Sequence, residues 1–167
     1  NPLRYQWVWN FSEWYSLVKT RLKYGFLDKT WKEVICRQYE NAKSFSEWLA
    51  SVYKKETGYQ FIDHIWNVVK TIEIEGINRL WSFFSWRALI KIVSKFWMNR
   101  RFWFIDKNYD ICIPAQYSSA SNFYSWIALV QDNKRYWFLY TDGYVKWMLD
   151  PIYDTVIFNQ LDGVDLF

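Results

Sequence analysis

Few residues of this chain could carry out catalysis. The only histidine of the 167 residues is His64, and the only cysteines are Cys36 and Cys112. These counts exclude a four-cysteine zinc site, a histidine-rich metal site and a disulfide-based scaffold, while a single bridge between the two cysteines stays possible in an oxidising compartment. His64 follows Asp63, which we interpret as a helix cap, so we interpret His64 as structural. Cys36 lies in a predicted helix, where we expect a small buried hydrophobic side chain.

Paired carboxylates are the remaining route to catalysis. Aromatic clefts with two acids suit sugar cleavage, and the second half of the chain is rich in aspartate: Asp106, Asp110, Asp142, Asp150, Asp154. No pair of these is singled out by its spacing, and the chain has no GxGxxG, GxxxxGKS, HExxH or GxSxG motif. We therefore predict a protein that is not an enzyme and has no cofactor, with a carbohydrate-binding or carbohydrate-cleaving protein as the alternative.

The aromatic content indicates a contact surface. Phe, Tyr and Trp number 13 each, and each buried indole N–H or phenol O–H without a partner costs about 1–3 kcal/mol. Satisfying all of them inside a small domain is difficult, so we expect some rings at the surface. Trp, Tyr and Arg are enriched at interface hot spots, so the composition favours a binding protein.

The positive charge lies in the first half of the chain. Residues 1–101 hold 17 Lys and Arg against 9 Asp and Glu, and residues 102–167 hold 4 against 8. Residues 79–101 (RLWSFFSWRALIKIVSKFWMNRR) predict a long amphipathic helix with a basic face. This face is either the solvated side of a core helix or a surface for nucleic acid, an acidic protein or a membrane. The predicted contact residues are its cations and nearby rings: Arg87, Lys91, Lys95, Trp97, Arg100, Arg101, Trp103.

The first half also contains an internal repeat. The sequence FSEW begins at Phe11 and again at Phe45, and Asp28, Trp31 and Val34 recur 35 residues later. Apolar residues at helical spacing, with Gly25 as a helix stop, predict that each unit is a helical hairpin. We expect the repeated tryptophans to be packing anchors between these helices.

Beyond residue 101 the pattern changes to short aromatic and β-branched runs. Asp142-Gly143 between two such runs is typical of a two-residue hairpin, so we predict a small antiparallel β-meander. The predicted fold is α+β, with a basic helical half (1–101) and an acidic sheet half (102–167) forming one compact unit. The longest uncharged stretch, Ile111–Gln131, contains Pro114 and several serines, so we predict no transmembrane segment.

These observations favour one function. We expect a non-enzymatic interaction or structural subunit that acts within a larger assembly through an aromatic and basic surface. Its partner would be a protein, or RNA or single-stranded DNA, whose phosphates the cations would neutralise while rings stack on bases.

Overall fold

The chain is built from β-strands. The computed structural model describes residues 5–93, 100–132, 135–142 and 145–147. In these ranges there are sixteen strands and no helix. A helix long and apolar enough to cross a membrane is accordingly not found in the described part of the chain.

The strands form four antiparallel sheets, each of four strands that are consecutive in sequence and neighbours in space. The first sheet contains β1 (Trp7–Ser12), β2 (Tyr15–Thr20), β3 (Lys23–Asp28) and β4 (Glu33–Tyr39). The second contains β5 (Asn41–Ala42), β6 (Ala50–Lys54), β7 (Gly58–Ile62) and β8 (Val68–Thr71).

The third and fourth sheets repeat this order. The third contains β9 (Ile77–Phe84), β10 (Arg87–Val93), β11 (Arg100–Ile105) and β12 (Ile111–Tyr117). The fourth contains β13 (Ser119–Ala120), β14 (Ile127–Asp132), β15 (Arg135–Tyr140) and β16 (Val145–Trp147). Four sheets of one topology mean that the described residues contain four copies of the internal repeat and not two.

The predicted helical hairpins, and with them the α+β class, are wrong. In β2 the adjacent residues Leu17 and Val18 are both buried, and in β3 so are Phe26 and Leu27. A strand that is covered on both faces loses the alternation of apolar and polar residues that identifies strands in a sequence. The apolar run that remained matched a helical spacing by coincidence.

The predicted long basic helix is wrong for the same reason. Residues 79–101 instead form most of β9, the whole of β10 and the first residues of β11. Ala88, Leu89 and Ile90 are all buried, so β10 also lacks alternation. Ser85 and Trp86 have positive φ angles of 50° and 65°, which turns the chain between β9 and β10. Residues 94–99 lie outside the described residues.

Antiparallel strands are found beyond residue 101, as the meander pattern predicts. β14 pairs with β15, and β15 pairs with β16 through Phe138–Lys146 and Leu139–Val145. The predicted hairpin residue Gly143 lies outside the described residues. The sheet extends the same repeat that builds the first half, so this part of the chain has the architecture of the rest.

The described residues fall into two compact units. Unit 1 comprises the chain up to Glu75 together with Leu80–Phe83, and unit 2 comprises Gly76–Arg79 and the chain from Phe84 onward. The core of unit 1 is built on fully buried side chains that include Phe26, Phe45 and Ile62. In unit 2 the rings of Phe104 and Phe123 are both buried and pack edge to face at 5.0 Å.

Serine side chains connect successive repeats in unit 1. The hydroxyl of Ser12 donates to the carbonyl of Phe45 at 2.6 Å, and the hydroxyl of Ser46 donates to the carbonyl of Phe83. Ser12 and Ser46 are equivalent residues of the FSEW repeat. The repeat therefore preserves a polar contact between turns as well as the apolar core.

Candidate partner-binding surface

The turns of unit 1 place several side chains at one end of each sheet. In an up-and-down sheet alternate turns share an end, so the β1–β2 and β3–β4 turns lie together, as do the β5–β6 and β7–β8 turns. We call residues 12–15, 28–33, 45–49 and 63–67 the unit 1 turn surface. Hydrogen bonds of Glu13, in the first sheet, to Trp48 and His64, in the second sheet, connect these two groups of turns.

An aspartate fixes the β3–β4 turn. The Oδ1 atom of Asp28 accepts hydrogen bonds from the backbone N–H of Thr30 at 2.8 Å and of Lys32 at 3.1 Å. The hydroxyl of Thr30 donates to the same oxygen and is the main reason that the pKa of Asp28 lies below its ordinary value. Such a side-chain-to-backbone turn forces the chain to reverse within four residues. Trp31, inside it, has a φ of 64°.

The same device recurs along the chain. Asp63 and Asp106 each accept from the N–H groups two and four residues further on, at 3.0 and 2.9 Å and at 2.8 and 3.1 Å. Trp66 and Tyr109 occupy the position of Trp31, with φ angles of 71° and 68°.

Three tryptophan rings project from the unit 1 turn surface. Trp14, Trp31 and Trp48 are 57%, 63% and 69% exposed. The Nζ atom of Lys29 lies 4.1 Å from the centroid of the Trp14 ring, and the ring of Phe11 meets that of Trp31 edge to face at 5.6 Å. The expectation that these repeated tryptophans are packing anchors between helices is therefore wrong, although Trp66 does pack against the core.

A carboxylate joins the two sheets beneath these rings. Glu13, in the β1–β2 turn, has one carboxylate oxygen 2.8 Å from Nε2 of His64 in the β7–β8 turn. Both of its oxygens accept from the backbone N–H of Trp48, at 3.1 and 3.2 Å. The phenol of Tyr15 donates to the carbonyl of His64 at 3.2 Å. The carboxylate therefore fixes the turn that carries the Trp48 ring.

Aromatic rings surround His64. Its imidazole lies 4.7 Å from the ring of Phe45, 5.0 Å from that of Trp48 and 5.5 Å from that of Tyr15. Each pair is tilted or edge to face, an arrangement that aromatic quadrupoles favour. Glu13 bonds to the His64 imidazole and to the backbone N–H of Trp48, so the arrangement holds these surface turns in place.

Residues 104–136 match a family model described as "WG containing repeat"; this segment runs from β11 to β15 and is about a fifth of the chain. No curated protein matches the chain. Among solved structures, Hsv2 of Kluyvelomyces marxianus aligns with a TM-score of 0.56 and 6% sequence identity, over 82% of this chain and 48% of that chain. The chain thus spans about half the length of Hsv2, and the likeness is one of fold.

These findings together indicate a repeated β-sheet fold. Four-stranded antiparallel sheets repeated along a chain are the blades from which propeller folds are built, and repeats of this kind commonly present loops to partners. Neither match specifies a partner.

The structure separates the site residues predicted from the sequence. Arg87 and Lys91 lie on β10, and Arg100, Arg101 and Trp103 lie on β11. Strand register places Lys91 opposite Phe102 and Arg101 opposite Ile92. The faces of a strand alternate, so Arg100 lies on the face of Lys91, whereas Arg101 and Trp103 lie on the other face. The predicted residues therefore do not form one patch.

Two further predicted residues, Lys95 and Trp97, lie outside the described residues. Arg87 is held by its own unit, because its guanidinium donates to the carbonyls of Thr141 at 3.0 Å and Trp86 at 3.2 Å. Trp103 is half-buried.

Sequence reasoning missed Glu13 and Trp48 as site residues. Glu13 lies in the turn between β1 and β2 with a φ of 52°. Asp63 does cap its neighbours, though in a turn rather than a helix. The one available signal was the repeat of FSEW, which places Glu13 and Trp48 at turn positions once the repeat is assigned to strands.

The two cysteines are free thiols in the structure. Cys36 lies on β4 and is exposed, so the expectation that it is a buried helix residue is wrong. Cys112 is half-buried, and burial raises the pKa of its thiol. Among the described residues no three His, Cys, Asp or Glu side chains are placed to hold a metal ion.

Proposed function

We propose that the protein is a non-enzymatic binding subunit whose unit 1 turn surface holds a basic segment of a partner protein. The observation that carries this proposal is the exposure of Trp14, Trp31 and Trp48 at one end of unit 1. Large rings with polar surroundings are the usual anchors of protein interfaces.

Backbone conformation supports a functional role for two of these rings. Trp31 and Trp48 have φ angles of 64° and 72°, a region in which a side chain other than glycine costs about 1–2 kcal/mol. Neither exposed ring recovers that cost through full burial. Strained residues that burial does not explain are concentrated at binding and catalytic sites, so the strain favours a contact role.

The charge of the unit 1 turn surface favours a basic protein segment over a nucleic acid. Its four turns contain five carboxylates, of which Glu33 pairs with Arg37 at 3.0 Å, and two lysines: Glu13, Asp28, Glu33, Glu47, Asp63, Lys29, Lys32. A phosphate backbone would be repelled by this surface, whereas Lys and Arg of a partner would be attracted to it. The position of Lys29 over Trp14 shows that a ring here accepts a cation on its face.

The test uses twelve-residue peptides selected from a displayed library on the purified chain. We expect the selected peptides to be rich in Lys and Arg. The variant Trp48→Gly removes a ring while suiting the local φ, and should weaken binding of a selected peptide by about thirtyfold or more, since hot-spot rings contribute 2 kcal/mol or more.

A matched control is Trp7→Ala. Trp7 is 63% exposed and begins β1, at the opposite end of the strand from the β1–β2 turn. It should change the peptide affinity by less than about twofold. Failure to select any peptide, selection of acidic peptides, or equal losses in the two variants would each contradict the proposal.

A further inference from the structure

Unit 2 has an aromatic patch of its own at two turns. The β9–β10 and β13–β14 connections and the residues that flank them expose five large apolar side chains: Phe84, Trp86, Tyr124, Trp126, Ile127. The rings of Trp86, Tyr124 and Trp126 are 64%, 65% and 65% exposed. We call residues 84–86 and 124–127 the unit 2 aromatic patch. Contiguous exposed apolar surface of this kind marks interaction sites.

Hydrogen bonds connect the two turns that form the patch. The guanidinium of Arg87 donates to the carbonyl of Trp86 at 3.2 Å and to that of Thr141 at 3.0 Å. The backbone N–H of Thr141 donates to the carbonyl of Trp126 at 3.1 Å. Arg87 and Thr141 therefore link the two tryptophan turns, which places the two halves of the patch next to each other.

The patch differs in charge from the equivalent turns of unit 1. Where the first two repeats have FSEW, the third has FFSW at residues 83–86 and the fourth has FYSW at residues 123–126. A ring thus replaces the first serine, and a serine replaces the glutamate. Neither sequence contains a charged residue, and the adjacent cation, Arg87, is held by the two carbonyls that accept from it.

We propose that the unit 2 aromatic patch is a self-association surface through which two copies of this chain form a dimer. In a contact of twofold symmetry, each patch meets an identical patch. A surface with an excess of one charge repels its own copy, whereas an uncharged surface does not. The absence of charge therefore favours a second copy as the partner of this patch. The proposal does not depend on the function assigned to the unit 1 turn surface.

The area of the patch is sufficient for a weak dimer. Since an aromatic side chain presents about 200 Å², the exposed parts of the five side chains amount to roughly 500 Å² per copy. Two copies would thus bury roughly 1,000 Å², which meets the lower limit for a specific interface. Tryptophan and tyrosine are also the side chains on which interface affinity most often depends.

The experiment measures the mass of the whole chain by sedimentation equilibrium over about a hundredfold range of concentration. The mass of the unaltered chain should rise from that of one copy to that of two. The double variant Tyr124→Ser/Trp126→Ser should raise the dissociation constant of the dimer at least about thirtyfold, because truncation of central interface rings has effects of this size.

A second double variant, Ser85→Glu/Ser125→Glu, tests the role of charge. The φ angles of Ser85 and Ser125 are 50° and 55°, close to the 52° of Glu13 and Glu47, so the fold should accept glutamate at both positions. Carboxylates of the two copies would then meet across the twofold axis. We expect a monomer at low salt and partial recovery of the dimer at high salt, where this repulsion is screened.

The matched control is Trp7→Ser. Trp7 is 63% exposed, close to the 65% of Trp126, but it lies in unit 1. This substitution should change the dissociation constant of the dimer by less than about twofold. Urea unfolding of each variant checks that loss of the dimer is not loss of the fold.

The proposal is overturned if the unaltered chain remains monomeric over the whole range of concentration. A dimer that persists in both double variants, or that Trp7→Ser weakens equally, would also overturn it. So would a monomer that sediments with vesicles of uncharged lipid, which would assign the patch to a membrane surface. Selected basic peptides should bind Tyr124→Ser/Trp126→Ser as they bind the unaltered chain, so failure of the dimer leaves the unit 1 proposal intact.

Discussion

The Nε2 atom of His64 lies 2.8 Å from a carboxylate oxygen of Glu13, although the two residues are 51 positions apart. This bond joins a turn of the first sheet to a turn of the second. The same carboxylate accepts the backbone N–H of Trp48, so one side chain fixes the geometry of the surface to which we assign partner binding.

The Glu13–His64 pair should contribute measurably to stability. The side chains of His64 and Glu13 are 17% and 26% exposed, and a hydrogen bond to a charged group contributes about 1.5–3 kcal/mol. We expect Glu13→Ala to lower the free energy of unfolding by about 2 kcal/mol. A double-mutant cycle with His64→Ala, measured by urea unfolding, should give a coupling energy of about 1 kcal/mol. Additive effects would show that the two side chains do not interact.

The tryptophans that have positive φ angles should lower the stability of the fold. Trp31 has a φ of 64°, so relief of this backbone strain in Trp31→Gly should raise the free energy of unfolding by about 1 kcal/mol. Loss of the edge contact between the rings of Trp31 and Phe11 should reduce this gain. Trp31→Ala removes the same ring without gaining access to positive φ and serves as the control. The account is wrong on this point if the alanine variant is as stable as the glycine variant.

Gly25 should tolerate no side chain. A Cβ there would lie 2.5 Å from the carbonyl oxygen of Ile35 on the neighbouring strand. We expect Gly25→Ala to destabilise the chain by about 2–3 kcal/mol in chemical unfolding. Gly58 has open space around it but a φ of 78°, so Gly58→Ala should cost only about 1 kcal/mol. Similar costs at both positions would argue against the pairing of β3 with β4.

Acid should weaken the β3–β4 turn. The pKa of Asp28 is lowered in the folded state, chiefly by the Thr30 hydroxyl, from an ordinary value of 3.8. Its stabilising contribution is therefore complete above the unfolded pKa and is lost as pH falls through the folded pKa. Carboxyl NMR titration should show the shift, and Thr30→Val should raise the Asp28 pKa. An unchanged titration in that variant would exclude the hydroxyl as the cause.

The two thiols should differ in reactivity. Cys36 is exposed, whereas burial of Cys112 raises its thiol pKa and lowers its thiolate fraction. Labelling with a chromogenic disulfide at neutral pH should modify Cys36 rapidly and Cys112 slowly, and denaturation should equalise the two rates. Equal rates in the folded protein would contradict the placement of Cys112.

Part of the architecture could be predicted from the sequence. The offset between Phe11 and Phe45 identifies equivalent turn residues, and the aromatic count predicts exposed rings such as that of Trp48. The strand state of the first half could not be recognised, because residues such as Leu17 and Val18 are buried on opposite faces of one strand. Their spacing therefore carries no period of two.

The candidate site could be predicted less well. Glu13 and His64 meet only because two turns, 51 residues apart, lie at the same ends of their sheets. A helical assignment of the basic residues groups Arg87, Lys91 and Lys95, whereas strand register groups Lys91 with Arg100 and separates Arg101. The choice between a helical and a strand periodicity thus determines which residues are expected to be neighbours.

Hydrogen–deuterium exchange on the complex with a selected basic peptide tests the central claim most directly. If the unit 1 turn surface is the contact, amides of residues 12–15, 28–33, 45–49 and 63–67 should exchange more slowly with peptide bound, while residues 20–23 at the opposite end of the first sheet stay unchanged. Protection at residues 20–23, or at neither end, would contradict the assignment of partner binding to this surface.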